Sequence, residues 1–407
     1  MKRVIMILLS IIMILSIVGC ATQTPAPTAQ AQTSSDAKPT EAKPASSGSE
    51  TGGEIVVGCL QDISGPTSTL GKMVEAGAKW AFDEINANGG VGGKKIKMIT
   101  YDTKADVNEA INAFTRAVTA DKVSVVIGPP IANIALAIAP ISEQYNVPVV
   151  GFSVDTKSQV KPDGTPYKNM FAFQPSASQM AEIMATYAIK ENNFKKFGVI
   201  YNQGNAYSNS LMTPFVEVAK ANGAEVVEPV PYKATDKDFK TLLGKILSEN
   251  VEAIFIPNYT QELILITQQA RALGFKGALI AGLDACPPFN KLLGEPADGI
   301  YFINNIDATD AKIAEMVATV KEKTGIDATN KFFLGYDLGK VMAKIMGEVG
   351  TDSVKIRDAF ESLKDYQGYT GNITIDPKTH TPTGLEMVMF TYKGSDPVML
   401  QRYSVGK

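Results

Sequence analysis

The chain has 407 residues, with 39 Lys and Arg set against 42 Asp and Glu for a formal charge of −3. No Lys/Arg cluster interleaved with aromatics is present, which removes the footprint that nucleic acids and other acidic polymers require. Three cysteines and one histidine argue against a Cys/His metal site, and a lone histidine in a Thr/Pro-rich loop argues against a Ser-His-Asp or Cys-His device, so neither a catalytic residue nor a metal nor any other cofactor is expected.

In chain order, Lys2 and Arg3 precede an apolar run from Val4 to Val18 that is interrupted only by Ser10 and Ser16 and closed by Gly19-Cys20. The run falls short of the roughly 20 apolar residues of a spanning helix and fits the core of a signal peptide. Its end, Ile17-Val18-Gly19-Cys20, resembles the lipobox of bacterial lipoprotein precursors. That resemblance implies a signal peptide over 1–19 and a diacylglycerol on the Cys20 thiol. The protein would then be lipid-anchored at the cell membrane on its extracytoplasmic side, in a periplasm or at the cell surface. Each buried methylene of the anchor adds roughly 0.8 kcal/mol. Loss of Lys2 and Arg3 moves the formal charge from −3 to −5. Residues 20–53 then form a linker rich in Ala, Pro, Thr and Ser, without a large apolar residue after Cys20 until the folded part begins, and such a segment cannot build a core. The remaining 355 or so residues exceed one ordinary hydrophobic core, so two lobes are expected.

From Glu54 onward, short β-branched runs alternate with amphipathic stretches. Strands are predicted at 54–59, 95–102, 123–128, 147–152, 197–202, 224–230, 253–258, 278–282 and 299–304, most of them near-continuous apolar runs of the kind buried on both faces of a parallel sheet. Helices are predicted between them. In GKMVEAGAKWAFDEINANGG, Val74, Gly77, Ala81 and Ile85 share one face and Gly89-Gly90 ends the helix. Similar stretches cover 105–120, 132–145, 177–191, 207–222, 236–249 and 260–273. Strand followed by helix, repeated, means α/β architecture with right-handed crossovers. The repeat is interrupted at FAFQPSAS (171–178), the first change of lobe; helices return over 306–366 and late strands follow in YTGNITID, EMVMFTY and VMLQRY.

Several motifs fail on inspection. GGVGGKK (89–95) is one residue short of a phosphate loop, follows a helix instead of a strand and lacks the Ser/Thr after its lysine, so it reads as a glycine-rich turn. Neither a dinucleotide fingerprint nor a nucleophile elbow is present. His380, in KTHTPTG, reads as a solvated loop residue, and Cys59 and Cys286 as two buried thiols, with a disulfide as the alternative. The positive signals lie at strand C-termini, where open α/β sheets bind ligands. They are Gln61 to Pro66, Pro129 to Asn133 leading into a helix, and Ser153-Val154-Asp155-Thr156. The helix starting at Ala132 and Asn133 offers free N–H groups to an anionic group, and ordinary turn and capping chemistry is the alternative at each place.

These residues resemble the periplasmic binding proteins of the leucine/isoleucine/valine type, the branched-chain amino acid receptors of ABC importers. The resemblance covers 54–395 through IVVGCLQDISGPTSTLG, GAKWAFDEINANGGVGGKKI followed by YDT, VSVVIGP, YNVPVVGFS and NYTQELILITQQARALGF. It implies two Rossmann-like lobes with parallel-rich sheets, joined by three hinge crossovers near 174–176, 304–306 and 370–372, in the type I clamshell. Lobe 1 would be 54–174 plus 306–370, and lobe 2 would be 175–305 plus 371–407. The family holds the ligand's α-carboxylate with a Ser at the position of Ala132 and a Ser or Thr at that of Asp155, and this chain departs at both. Asn133 is a candidate replacement donor, and Ser153 stands beside it as a further candidate. Tyr207 and Tyr259 match ligand-facing tyrosines, and Asp284 matches the acidic partner of the α-ammonium, a bond worth about 1.5 to 3 kcal/mol when buried. Leu70 stands where an aromatic often covers the ligand.

The resulting expectation is a monomeric, non-enzymatic, lipid-anchored receptor for an amino acid or related small polar amine or amide, partnered by ABC permease membrane subunits. A clamshell sensor in a signalling system, a cationic or amide ligand, and an enzyme with an unrecognised carboxylate site stay open.

Overall fold

In the computed structural model, which describes residues 53–307 and 310–404, the alternation seen in the sequence becomes two three-layer units. The signal peptide, Cys20 and the linker up to residue 52 lie outside the described residues. The first half runs β1 (Ile55–Gln61), α1 (Ser68–Ala87), β2 (Ile96–Asp102), α2 (Val107–Thr119), β3 (Val126–Ile127), α3 (Ala132–Tyr145), β4 (Val149–Gly151) and β5 (Met170–Ala172). Its strands form an all-parallel sheet in the order β2-β1-β3-β4-β5. The second half begins with α4 (Ala177–Lys190), β6 (Lys196–Asn202), α5 (Ala206–Ala221), β7 (Glu225–Val226), β8 (Val230–Tyr232) and α6 (Lys240–Ser248). It continues through β9 (Ala253–Phe255), α7 (Thr260–Ala272), β10 (Ala278–Ala281), α8 (Phe289–Leu293) and β11 (Ile300–Asn304). The chain then returns through α9 (Ala311–Thr324), α10 (Asn330–Val349) and α11 (Ser353–Glu361) to β12 (Tyr366–Gly368), β13 (Gly371–Ile375), β14 (Pro382–Lys393) and β15 (Asp396–Ser404).

The strands are apolar on both faces because both faces are covered. In β1, Ile55, Val57 and Cys59 join the core beneath α1 and α10, whereas Leu60 joins the core beneath α2 and α3. In β9, Ala253 and Phe255 pack toward α4 and α5, whereas Ile254 packs toward α6 and α7. That is the period-2 alternation of a strand, hidden in sequence because each side has its own core. Helix boundaries follow their caps. Asp106 accepts from Glu109 N–H at 2.9 Å to start α2, and Ser176 and Gln179 form a reciprocal capping box at α4, where the repeat is interrupted. The glycine run at 89–93 is a turn: Val91 and Lys94 pair across it, and Gly89, Gly90, Gly92 and Gly93 all have positive φ.

The chain passes between the two sheets three times, between β5 and α4, between β11 and α9, and within β14. The third place differs from the 370–372 implied by the resemblance. Ile373, Ile375 and Leu385 bury in the first lobe's core, while Met387, Val388, Met389 and Phe390 bury in the second's. The hairpin of β12 and β13 thus packs on the first lobe, although it is hydrogen-bonded to a strand that continues into the second sheet.

His380 is 1% exposed, which corrects its reading as a solvated loop residue. Its loop closes back under β5: Ala172 N–H donates to the His380 carbonyl at 2.9 Å, Nδ1 lies 3.1 Å from the Met170 carbonyl, and the ring stacks on Phe171 at 4.2 Å. Burial pushes the imidazole below its ordinary 6.5. A base whose folded value is lowered is protonated first in the unfolded chain, so its favourable contribution is complete above about 6.5 and declines as pH falls below it. We expect the urea-midpoint advantage of the native chain over His380→Gln to shrink between pH 7.5 and pH 5.5. A constant difference across that range would contradict this assignment.

Candidate functional site

The C-terminal ends of β1 and β3 in one sheet and of β6, β9 and β10 in the other face a common cleft. It encloses a cavity of about 670 Å³ lined by the starts of α1, α3, α5, α7 and α10 and by the turn after β10. Leu70, Met73, Ile131, Ile264 and Leu283 supply apolar walls, and Asp284 and Lys331 are the buried charged groups in the lining. The β1–α1 turn that frames it is held by Asp62, which accepts from Gly65 N–H at 2.6 Å, Thr67 N–H at 2.8 Å and the Thr67 hydroxyl at 2.6 Å. Gln61 to Pro66 thus form a turn, whose last residue, Pro66, lines the cavity and accepts from Gln261 Nε2 across the cleft at 3.2 Å.

Asp284 sits in the short 3-10 turn Leu283–Ala285 after β10 and is 7% exposed. Its carboxylate accepts only a long bond, 3.4 Å, from the Thr260 hydroxyl. Burial raises its pKa, with the field of Lys331 acting against that rise. Tyr207, the second residue of α5, and Tyr259, the N-cap of α7, stack in parallel at 4.8 Å with 5° between their planes. The Tyr207 hydroxyl faces Asp284 and the Tyr259 hydroxyl faces the Ala132 backbone, yet neither completes a hydrogen bond of ordinary geometry. Buried polar groups are nearly always bonded, so two unanswered tyrosine hydroxyls beside a weakly bonded buried carboxylate at the edge of one cavity mark a place built for a solute.

The remaining predicted residues divide. Ala132 is fully buried at the start of α3, whose N-cap Ile131 gives no side-chain bond, so the helix N-terminus keeps free N–H groups. Asn133 lines the cavity, but both atoms of its amide bond the other lobe: Nδ2 donates to the Gly204 carbonyl at 3.2 Å and Oδ1 accepts from Ala206 N–H at 2.8 Å. It is a bridge between lobes in this conformation. Ser153 and Asp155 do not line the cavity. Ser153 accepts from the Ser158 hydroxyl at 3.0 Å, and Asp155 caps its own turn, accepting from Lys157 N–H at 3.1 Å. Burial holds the Asp155 carboxyl above the usual range. Cys59 and Cys286 are both free and buried, and Cys286 borders the cavity. Lys331 was not singled out in the sequence. Its only local signal is a lysine in the first turn of NKFFLGYDLGKVMA, a helix otherwise buried nearly all round.

A second cavity, about 570 Å³, opens between the lobes beside the hinge and contains answered charges: Arg402 pairs with Asp307 and Glu386, and Lys340 pairs with Glu84 at 2.7 Å. Among the described residues, no group of three His, Cys, Asp or Glu is placed to hold a metal, and no helix is long and apolar enough to cross a membrane.

Two doubly wound lobes, three crossings and a polar-centred cleft between them define a clamshell solute-binding protein. The chain belongs to the periplasmic binding protein family, whose model matches residues 54–396. Among curated relatives, the Leu/Ile/Val-binding protein BraC3 of Rhizobium johnstonii is 25% identical over 326 residues, 79% of this chain and 87% of the relative. The leucine binding protein LivK of Thermotoga maritima superposes with a TM-score of 0.79 at 27% identity, covering 86% of this chain and 99% of that one. LivJ of Streptococcus pneumoniae, a branched-chain amino acid transporter substrate binding protein solved with isoleucine, gives 0.77 at 26% identity, covering 87% and 99%.

Removing the Asn133 bridge has a measurable consequence. A neutral hydrogen bond contributes about 0.5 to 1.5 kcal/mol, so losing both raises ligand dissociation by roughly 5- to 150-fold. Stopped-flow dissociation from Asn133→Ala should show this, and a native rate would place the latch elsewhere.

Proposed function

We propose that the chain is an extracytoplasmic solute-binding lipoprotein that captures an amino acid, of branched-chain type or a related small polar amine, between its lobes and delivers it to an ABC permease. The observation that carries the reading is the buried Asp284 carboxylate, short of donors and facing the cavity beside the Tyr207–Tyr259 stack. An ammonium group would supply the missing donors, and the tyrosine hydroxyls would add polar contacts. Leu70, Ile131 and Ile264 would receive an aliphatic side chain. The relatives' names, Leu/Ile/Val-binding protein and leucine binding protein, support this choice. Asn133 is proposed as a closure contact, and Ser153 and Asp155 as supports of the turn after β4. Acylated Cys20 and its linker would keep the receptor near the permease, and one chain would act alone.

Thermal melting of the full chain against amino acids, amides, polyamines and aromatic acids tests the proposal. A ligand present at about 100 times its Kd adds roughly 2.7 kcal/mol. We expect amino acids to raise the melting temperature most, and a panel in which no small solute raises it would refute the receptor reading.

A further inference from the structure

Resting on the amino acid reading, we propose that Lys331 is the carboxylate anchor of the site, and that the ligand is a zwitterion spanning Lys331 on the first lobe and Asp284 on the second. Lys331 is 6% exposed, lines the cleft cavity from the first turn of α10, and makes no hydrogen bond or direct ion pair with any described residue. Asp284 faces the same cavity from the opposite lobe with one long hydroxyl contact. Each feels the other's field without touching it. Two buried opposite charges held apart across a cavity are costly unless something between them answers both.

The absence of the family's usual carboxylate contacts points the same way. Ala132 has no hydroxyl to give, and Asp155 is turned into its own 3-10 turn, where it could only repel an anion. A carboxylate lying against the first lobe therefore needs another donor, and Lys331 is the buried cation in the lining. The two other charged lining residues, the exposed Asp106 and the partly exposed Glu262, are acidic, so they do not serve an anion. A zwitterion balances the pair. A cationic amide leaves Lys331 unanswered, and a simple acid leaves Asp284 unanswered. Because the two anchors belong to different lobes, a ligand with both charges also ties closure to its own identity.

The test is calorimetric titration of the full chain with leucine, leucinamide and 4-methylpentanoate, on the native protein, Lys331→Met and Asp284→Asn. The native chain should prefer leucine. Lys331→Met should weaken leucine by about 10- to 150-fold, as expected for one charge-assisted bond, while leucinamide binds equally or more tightly. Asp284→Asn should weaken leucine and leucinamide but spare 4-methylpentanoate. If Lys331→Met does not fold, Lys331→Gln should give the same change in ratio. Equal weakening of leucine and leucinamide would mark a merely structural lysine and overturn the inference. Loss of leucine binding only in Asp284→Asn would overturn Lys331 and leave the amino acid receptor standing. Binding of 4-methylpentanoate as tight as leucine would overturn the zwitterion, and binding of none of the three would overturn both readings.

Discussion

Gly77→Val is expected to destabilise the protein by about 3 kcal/mol or more, at the upper end for overpacking a core. Helices α1 and α10 cross at glycines, with their backbones in contact. A methyl group on Gly77 would fall on the Phe332 carbonyl oxygen, one on Gly335 would fall on that of Val74, and one on Gly339 would lie 2.8 Å from Ala81 Cβ. These obstacles are mostly main chain within helices, so no rotamer change relieves them and the helices must separate. Separation would open the core formed by Val74, Ala78, Phe82, Leu334 and Leu338. Gly244, in α6, has open space where its Cβ would be, so Gly244→Ala should instead stabilise by roughly 0.5 to 1 kcal/mol. Urea unfolding of both variants checks the pair, and a native-like midpoint for Gly77→Val would disprove the close crossing.

Asp284→Ala is expected to weaken amino acid binding by about 10- to 150-fold, the equivalent of roughly 1.5 to 3 kcal/mol for a charge-assisted bond. The side chain is buried in a short turn that touches the cleft from one side and Thr260 from the other, where its backbone carbonyl accepts from the Thr260 hydroxyl at 3.2 Å. That backbone contact survives the substitution, so the turn should persist while the carboxylate is lost. The change also leaves Lys331 without its counter-charge, which costs some stability. Equilibrium dialysis with labelled leucine, beside a melting curve in the absence of ligand, separates the two effects. Unchanged affinity in a folded Asp284→Ala protein would remove Asp284 from the site.

Much of the architecture was legible because its signals are local. The caps at Asp106 and Ser176, the glycines at 89–90 and the period of each helix depend on neighbours in sequence, and the predicted 132–145 helix coincides with α3. Short strands were less visible. β5 is the three residues Met170–Ala172 inside a segment marked by Pro175, and the stretch predicted as one strand at 224–230 divides into β7 and β8. Such pieces owe their pairing to a sheet assembled from distant strands.

The candidate site was legible at Tyr207, Tyr259 and Asp284 through the resemblance, but Lys331 and the bridging role of Asn133 were not. Lys331 approaches Asp284 from 47 positions away and only across the cleft, and Asn133 meets Gly204 and Ala206 only when the lobes are together. His380 illustrates the same limit, because KTHTPTG is polar in composition yet its histidine packs against Phe171 through a long-range return of the chain.

The most direct test is a crystal structure of the full chain with the amino acid that raises its melting temperature most. The account predicts one solute molecule in the cavity between the lobes, its ammonium on Asp284 and its carboxylate on Lys331. A solute bound outside this cleft, or a cleft left empty at saturating amino acid, would contradict it.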